Sequence, residues 1–347
     1  MTRVFLLNNY SMRQALKRFQ DGEYPGQHLW GYPKGGSRGD TEWVLPTSIY
    51  DVSWMRKGVA RAVRNAIVKL VGDPLQQLAT WRSAEPGDVV YAADQRSASL
   101  LGLAKSLKWF RRPLVVVVHH PPRNRWEHWC LGSADAVLYL TPSIQPRLGS
   151  SLPKIRDFRF APWGPALDSD VYTVTPPADA AYDFVSAGKT NRDYTPLRAA
   201  AELGGLSGVI YDGSSKTVFI DGAAHVTRGQ YDYVEIIAAM KAARSVVIPI
   251  CHGETMAGLT EVADAIALDK PVIVNRSTAF PYEIESTGAG RTLANLSVKL
   301  LVSTIHDARS QSIGGARTLA STFNMDAYCD VLDSALRDCR TPTEQRR

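Results

Sequence analysis

The chain has 347 residues, of which 45% are hydrophobic and 21% charged, a composition that is typical of soluble globular proteins and long enough for two domains. No apolar run approaches the roughly 20 residues of a membrane span, and the N-terminal sequence lacks a signal-peptide pattern. The four cysteines show no CxxC spacing, which disfavours a zinc site or a disulfide framework and favours a reducing cytosol.

The formal charge of +6 is unevenly distributed along the chain. Residues 1–170 carry 23 Lys and Arg against 14 Asp and Glu, whereas the remainder carries 17 against 20. This asymmetry indicates that the first half faces an anionic partner, with solvated helix faces as the alternative.

The first half alternates strand-like and helix-like segments. Strand character covers residues 3–7, 88–92, 114–118, 134–140 and 158–162, helix character covers 11–19, 53–70 and 97–109, and a loop rich in Gly, Pro and aromatic residues occupies 25–40. Strands separated by helices of this length predict βαβ units and a parallel sheet.

The second half resumes this alternation after a proline-rich stretch at 162–180, which we interpret as a linker. Strand character covers 183–187, 207–211, 218–220, 246–250 and 272–274, and helix character covers 194–203, 231–243, 260–268, 293–308 and 315–336. We therefore predict an α/β protein of two Rossmann-like parallel-sheet domains with a ligand cleft between them. The predicted domains are 1–165 and 166–320, followed by a closing helix at 321–340 that packs back on the first domain and a tail at 341–347.

The stretch 245–275 contains a strand, a polar loop, a helix and a second strand. The loop holds His252, Gly253, Glu254 and Gly258 at the carboxyl end of the first strand. Ligands of open parallel sheets bind at that edge, and a helix N-terminus offers free N–H groups to an anion. The pattern predicts a cradle for a nucleotide diphosphate.

Five segments occur in an order that is known from one enzyme family. They are VVVVHHPP (115–122), APWGPALDSDVY (161–172), FVSAGKTNRDYTPL (184–197), GLTEVADAIALDKPVIV (258–274) and ARTLASTFNMDAYCDVL (316–332). Together they resemble the GT-B glycosyltransferases of the family-4-like group, which use nucleotide-sugar donors. The resemblance implies the GT-B fold and a retaining, metal-independent transfer that needs no cofactor besides the donor substrate.

Two cations in the GKTNRD loop are candidates for the chemistry of the leaving group. Lys189 and Arg192 follow a predicted strand, where they would neutralise a donor diphosphate and stabilise the charge that builds on the departing phosphate. Gly188 and Asn191 are the neighbouring donor-binding candidates. The alternative is a pair of ordinary surface cations.

The predicted helix that begins near residue 259 supplies the other donor contacts. Its candidates for phosphate are the N–H groups of Gly258, Leu259 and Thr260, with a plain helix cap as the alternative. Aligned with the family on Lys270-Pro271, Asp264 takes the place of the acid that binds ribose hydroxyls, in preference to Glu261. Glu254 is a candidate for contact with sugar hydroxyls.

The first half offers candidates at strand ends and in the aromatic loop. His119 and Asp94 each follow a predicted strand and would be the first suspects for a general base if the enzyme inverted configuration. The acceptor-side candidates are Gln27, His28, Trp30 and Lys34, for which a packed surface loop is the alternative, and His120, for which a core histidine bonded to backbone is the alternative.

Two basic stretches, 55–70 and 104–113, interleave cations with apolar and aromatic residues. Such a pattern favours weak peripheral association with an anionic membrane and a lipid-linked acceptor. A solvated helix face is the alternative, and nucleic acid is a third partner without a recognisable motif.

The sequence thus predicts a cytoplasmic glycosyltransferase, at the inner face of the membrane if the basic stretches bind lipid. It would move a sugar from a nucleotide-diphosphate donor to an anionic or lipid-linked acceptor. A sugar-nucleotide epimerase on the same fold is the nearest alternative, and a non-catalytic nucleotide- or nucleic-acid-binding protein is an alternative of another class.

Overall fold

The computed structural model describes residues 1–33, 35–176, 178, 181–213, 224–228, 231–251, 256–276, 281–308 and 315–340. The chain divides into two compact units. The first consists of Met1–Arg18, His28–Pro162 and the described part of Asp326–Arg347, and the second of Phe19–Gln27 and Trp163–Met325. The chain thus passes to the second unit three residues before the predicted boundary at 165. Phe19–Gln27, which we placed in the first domain, belongs to the second unit.

The first unit is built on a seven-stranded sheet within the described residues, in the order β2-β3-β1-β4-β5-β6-β7. Its strands are β1 (Thr2–Leu7), β2 (Ser37–Arg38), β3 (Thr41–Val44), β4 (Val89–Ala92), β5 (Leu114–Val118), β6 (Ala136–Tyr139) and β7 (Phe158–Phe160). All neighbours pair in parallel except β2 and β3, which form an antiparallel pair. Strand β2 lies inside the predicted loop at 25–40, and β3 follows directly after it. Every residue of β4, β5 and β6 is buried, as continuous apolar runs in a covered parallel sheet require.

Helices surround this sheet. They are α1 (Met12–Gln20), which continues into the second unit, α2 (Gly58–Val71), α3 (Pro74–Ser83), α4 (Ser99–Ser106), α5 (Arg125–Leu131) and α6 (Gln145–Ser151). Helix α3 begins where the Asp73 side chain accepts hydrogen bonds from the N–H groups of Leu75 and Gln76. None of the described helices is both long and apolar enough to cross a membrane.

The second unit contains, within the described residues, a six-stranded sheet in which every pair is parallel. Its strands are β8 (Phe184–Gly188), β9 (Gly208–Asp212), β10 (Ala224–Arg228), β11 (Val246–Ile248), β12 (Val272–Asn275) and β13 (Gly290–Leu293). Its helices are α7 (Thr195–Gly204), α8 (Tyr233–Ala242), α9 (Leu259–Ala267), α10 (Val298–Ala308) and α11 (Gly315–Thr322). The order β10-β9-β8-β11-β12-β13 is the Rossmann order, whose direction reverses between β8 and β11. The predicted strand at 218–220 lies outside the described residues.

The last helix, α12 (Met325–Arg340), belongs to the first unit from Asp326 onward. Tyr328 and Leu332 are fully buried on it, and the Tyr328 hydroxyl hydrogen-bonds that of Tyr91 on β4. An ion pair of 2.7 Å between Arg38 and Asp333 fastens the next turn. The C-terminal helix is therefore a structural part of the first unit.

Candidate functional site

The carboxyl ends of β8 and β11 meet at the point where the second sheet reverses its order, which is where open α/β sheets form ligand crevices. The loop that leaves β8 is fastened to the chain that leaves β11. Asp193 donates its N–H to the carbonyl of Pro249 at 3.0 Å, and Cys251 donates to the carbonyl of Asn191 at 3.1 Å. The GKTNRD loop is thus held at the edge where a ligand is expected.

Arg192 lies in this loop as a buried cation. Its Nη2 contacts Oε1 of Glu261 at 2.9 Å, its Nη1 donates to the carbonyl of Thr190 at 3.0 Å, and its side chain is 4% exposed. Its Nε is buried and has no hydrogen-bond partner among the described residues. The arrangement holds a guanidinium in fixed orientation at the sheet edge, with donor capacity left over.

The Arg192–Glu261 ion pair packs against the backbone of Gly188, the last residue of β8. Its φ of +124° is outside the range that side-chain-bearing residues favour. A Cβ at this position would lie 2.5 Å from Oε1 of Glu261 and 3.0 Å from Nε of Arg192. The ion pair therefore packs directly against bare backbone at the end of β8.

Helix α9 begins at the same edge. Gly258 is its N-cap, with a φ of 92°, and no side chain among the described residues caps the helix. The first N–H groups of a helix have no intrahelical acceptor, so those of Leu259 and Thr260 are suited to bind an anion. His252, Gly253 and Glu254 lie outside the described residues. Lys189 is exposed at the end of β8.

Asp264 lies one turn further along α9 and is bound to the protein rather than open to a ligand. Its Oδ1 accepts hydrogen bonds from Gln27 at 3.0 Å and from the Tyr172 hydroxyl at 2.8 Å, and its Oδ2 accepts one from the Tyr233 hydroxyl. The residue is 2% exposed. This geometry leaves little room for the contact with ribose hydroxyls that we predicted for Asp264.

Gln27 belongs to the same buried network. It is fully buried in the second unit, where its Oε1 accepts a hydrogen bond from the N–H of Ala166 at 3.2 Å. We predicted an acceptor contact in the first domain for Gln27. In the structure its side chain instead ties Phe19–Gln27 to α9.

The Asp264 network makes the stability of the protein depend on pH. Burial raises the pKa of Asp264 to about 7, despite the hydrogen bonds from Tyr233, Tyr172 and Gln27, which lower it. In the unfolded chain the pKa of an aspartate is near 4, so the folded state holds an extra proton between about pH 4 and pH 7. The contribution of this extra proton to the free energy of unfolding is fully present below about pH 4 and is lost as the pH rises towards 7.

The Asp264→Asn variant removes this titration. As the pH rises from about 4 to about 7, we expect the free energy of unfolding of the wild type to fall relative to that of the variant by about 1 kcal/mol per pH unit. Urea unfolding of both proteins across the range measures the difference. A difference that does not change with pH would contradict the assignment.

In the first unit, the structure brings two predicted residues together. The Trp30 and His119 rings lie 5.5 Å apart, centroid to centroid, and Trp30 Nε1 donates to the Tyr10 hydroxyl at 3.0 Å. Gln95 supports the end of β5, because its Oε1 accepts from the N–H of His119 at 3.1 Å. His119 and Trp30 thus lie near the carboxyl edge of the first sheet.

Two other candidates of the first unit, Asp94 and His120, make local contacts with the backbone. Asp94 accepts a hydrogen bond from the N–H of Arg96 at 2.9 Å and caps a short helical turn. Burial lowers the pKa of His120, whose Nδ1 lies 2.9 Å from the carbonyl of Pro121. Burial also lowers the pKa of His28 to about 4. Lys34 lies outside the described residues.

No group of three or more His, Cys, Asp or Glu side chains in the described part of the chain is arranged to hold a metal ion.

No protein-family model matches the chain, and no curated protein shows significant sequence similarity to it.

Solved structures do match the chain along nearly its whole length. The α,α-trehalose 6-phosphate synthase of Burkholderia multivorans matches with a TM-score of 0.66 at 10% identity, covering 97% of this chain and 99% of that one. The UDP-forming synthase of Burkholderia vietnamiensis matches with a TM-score of 0.65 at 9% identity, over the same shares of the two chains. The E. coli protein bound with UDP-2-fluoro glucose gives 0.59 at 8% identity, covering 98% and 97%. At these identities the likeness shows the fold, and it confirms the predicted GT-B class of two Rossmann-like domains in one chain.

Proposed function

We propose that the protein is a glycosyltransferase that takes its sugar from a nucleoside-diphosphate donor bound by the second unit. The observation that carries the proposal is the Arg192–Glu261 pair on the bare backbone of Gly188, at the reversal point of the sheet and beside the uncapped start of α9. The fold supports it, since structures of the same fold include UDP-forming synthases and one bound with a UDP-sugar analogue.

In the proposed site, Arg192 and Lys189 face the diphosphate, and the N–H groups of Gly258, Leu259 and Thr260 bind its oxygens. Positive charge and oriented N–H groups stabilise the phosphate as it accumulates charge on bond cleavage. This chemistry requires no metal ion and no further cofactor. Transfer with retention requires the acceptor hydroxyl to bond to the anomeric carbon on the face that the diphosphate leaves. The departing phosphate is then placed to take the acceptor proton, and no separate general base is needed.

Glu261 replaces Asp264 as the proposed partner of the ribose hydroxyls. Its side chain is 12% exposed at the sheet edge, whereas Asp264 is enclosed by hydrogen-bond donors. A carboxylate can accept both hydrogen bonds of a vicinal diol. Asn191 and Glu254 remain proposed neighbours of the donor.

The acceptor is proposed to be an anionic sugar compound bound by the first unit. The basic charge of residues 1–170 supports this assignment, because cations attract a phosphate group. Trp30 is only 8% exposed and packs against His119, so it is not part of the proposed acceptor contact. A cytoplasmic location is part of the proposal, because the four cysteines are free.

Product analysis tests the proposal. The protein is incubated with UDP-, GDP-, ADP- and TDP-sugars, with and without sugar-phosphate acceptors. We expect one donor to yield free nucleoside diphosphate and a new glycoside only when an acceptor is present. Formation of an epimeric nucleotide sugar without acceptor would instead identify an epimerase, and no turnover of any donor across a broad acceptor set would contradict the proposal.

A further inference from the structure

Helix α2 lies on the surface of the first unit with almost no buried face. It has 14 residues, all of them described, and only Val68 among them is buried. Most helices of globular proteins are stabilised by packing an apolar face on the core. An apolar face that points away from the core requires another explanation.

That face is apolar and regular. Val59 is 81% exposed, Val63 48% and Leu70 67%, and Ala66 lies between the last two. The spacing i, i+4, i+7, i+11 places these four residues on one side of the helix, opposite Val68. Trp54, in the turn before the helix, is 69% exposed.

The surroundings of this stripe are basic. The sequence has no Asp or Glu from residue 53 to 72, and it has five Lys or Arg. Lys57, Arg61 and Lys69 are exposed. Arg64 does not belong to this set, because its guanidinium stacks on the Tyr50 ring at 4.5 Å.

Helix α5 extends the surface beyond the end of α2. A cavity of about 90 Å³ is lined by residues that include Lys69 and Leu70 from α2, Arg96, and Trp126 and Glu127 from α5, so two cations and one carboxylate face it. An open groove of about 770 Å³ on α5 is lined by Arg125, Trp126, His128 and Trp129. The Trp126 Nε1 is buried without a hydrogen-bond partner among the described residues, and Trp129 is 53% exposed.

From these features we propose that the α2–α5 surface, defined by Trp54, the exposed side chains of α2, Arg125 and Trp129, binds the face of an anionic lipid bilayer. Aliphatic side chains enter the acyl boundary, indole rings lie at the headgroup level, and Lys and Arg pair with lipid phosphates. A helix of 14 residues gives a contact line of roughly 20 Å parallel to the membrane.

Charge and composition favour a bilayer over other partners. A second copy of the chain would place this basic surface against itself, with like charges opposed. A nucleic acid would pair its phosphates with the cations, and these contacts would provide most of the affinity. The exposed apolar side chains Val59, Val63 and Leu70 would then have no role in binding. An anionic bilayer uses both features.

Vesicle co-sedimentation of the full chain tests the proposal. We expect binding to vesicles of phosphatidylcholine with phosphatidylglycerol, little binding to phosphatidylcholine alone, and loss of binding at high salt. Substitution of Lys57, Arg61 and Lys69 by serine should weaken partitioning by about fivefold per cation, hence about a hundredfold in all. The Val63→Ser/Leu70→Ser variant should weaken it by about tenfold or more.

Matched controls come from the second unit, where Leu203 is 66% exposed and Lys299 is also exposed. Leu203→Ser and Lys299→Ser should bind vesicles like the wild type, and all variants should keep the wild-type unfolding midpoint. Absence of binding to anionic vesicles at low salt would overturn the proposal. Binding that is indifferent to Val63→Ser/Leu70→Ser, together with tighter binding to a DNA duplex, would also overturn it and identify a nucleic-acid surface. The assay contains no nucleotide sugar, so its result is independent of the proposed transferase activity.

Discussion

The Arg192→Ala variant is expected to lose transferase turnover by about 10²–10³-fold while the chain remains folded. The guanidinium is held at the reversal point of the second sheet by Glu261, and its buried Nε has no partner among the described residues. It is therefore already in place before charge develops on the leaving phosphate. Steady-state kinetics with the preferred donor measure the loss, and thermal unfolding monitors the fold.

Companion variants separate a chemical role of Arg192 from a structural one. Removal of the guanidinium leaves Glu261 nearly buried and unpaired, which destabilises the fold by itself. Arg192→Ala/Glu261→Gln should recover stability, while its turnover stays well below that of Glu261→Gln alone, which loses only the carboxylate proposed to bind the ribose hydroxyls. Arg291→Ala removes an exposed cation of the same unit and should leave both unchanged. Recovery of turnover in the double variant would contradict a direct role of Arg192.

The Gly188→Ala variant is expected to show the second largest loss of activity. It removes no functional group, and we expect it to act by weakening donor binding. The new methyl group would have to displace Glu261 and Arg192, because its position is 2.5 Å from Oε1 and 3.0 Å from Nε. The backbone conformation, with φ at +124°, adds strain of about 1–3 kcal/mol. We expect a rise in the donor KM of tenfold or more, with a lower kcat and a lower unfolding midpoint.

Gly205→Ala is the matched control for this variant. Gly205 also has a positive φ, of 57°, but no described atom lies within 4 Å of its Cβ position. Its replacement should lower stability by about 1 kcal/mol and leave the kinetics intact. Equal kinetic effects of the two variants would show that backbone strain, and not displacement of the ion pair, is responsible.

The parallel-sheet architecture could be predicted because the buried strands have continuous apolar runs. Strand β5, with five apolar residues that are all buried, is one example. Helix α3 was missed because its buried residues are Gln76, Gln77 and Thr80, so that it has no apolar periodicity. Those glutamines satisfy backbone groups instead, as when Gln77 Oε1 accepts from the N–H of Leu100 at 2.7 Å.

The candidate site could be located from sequence, but its internal contacts could not. Strand ends followed by glycine and polar residues indicated the loops after β8 and β11. The pairing of Arg192 with Glu261 joins residues 69 positions apart, and the Gln27–Asp264 hydrogen bond joins residues 237 apart. Alignment on Lys270-Pro271 could not show that three donors surround Asp264, because tertiary packing brings them there.

Equilibrium binding of nucleoside diphosphates tests the central claim most directly. Isothermal titration of the wild type with UDP, GDP, ADP and TDP is expected to show one clear preference, and Arg192→Ala should weaken that binding by tenfold or more, since a charge-assisted contact to phosphate is lost. Arg291→Ala should bind like the wild type. Absence of binding for all four nucleotides, or equal affinity in Arg192→Ala, would contradict a donor site at the carboxyl edge of the second sheet.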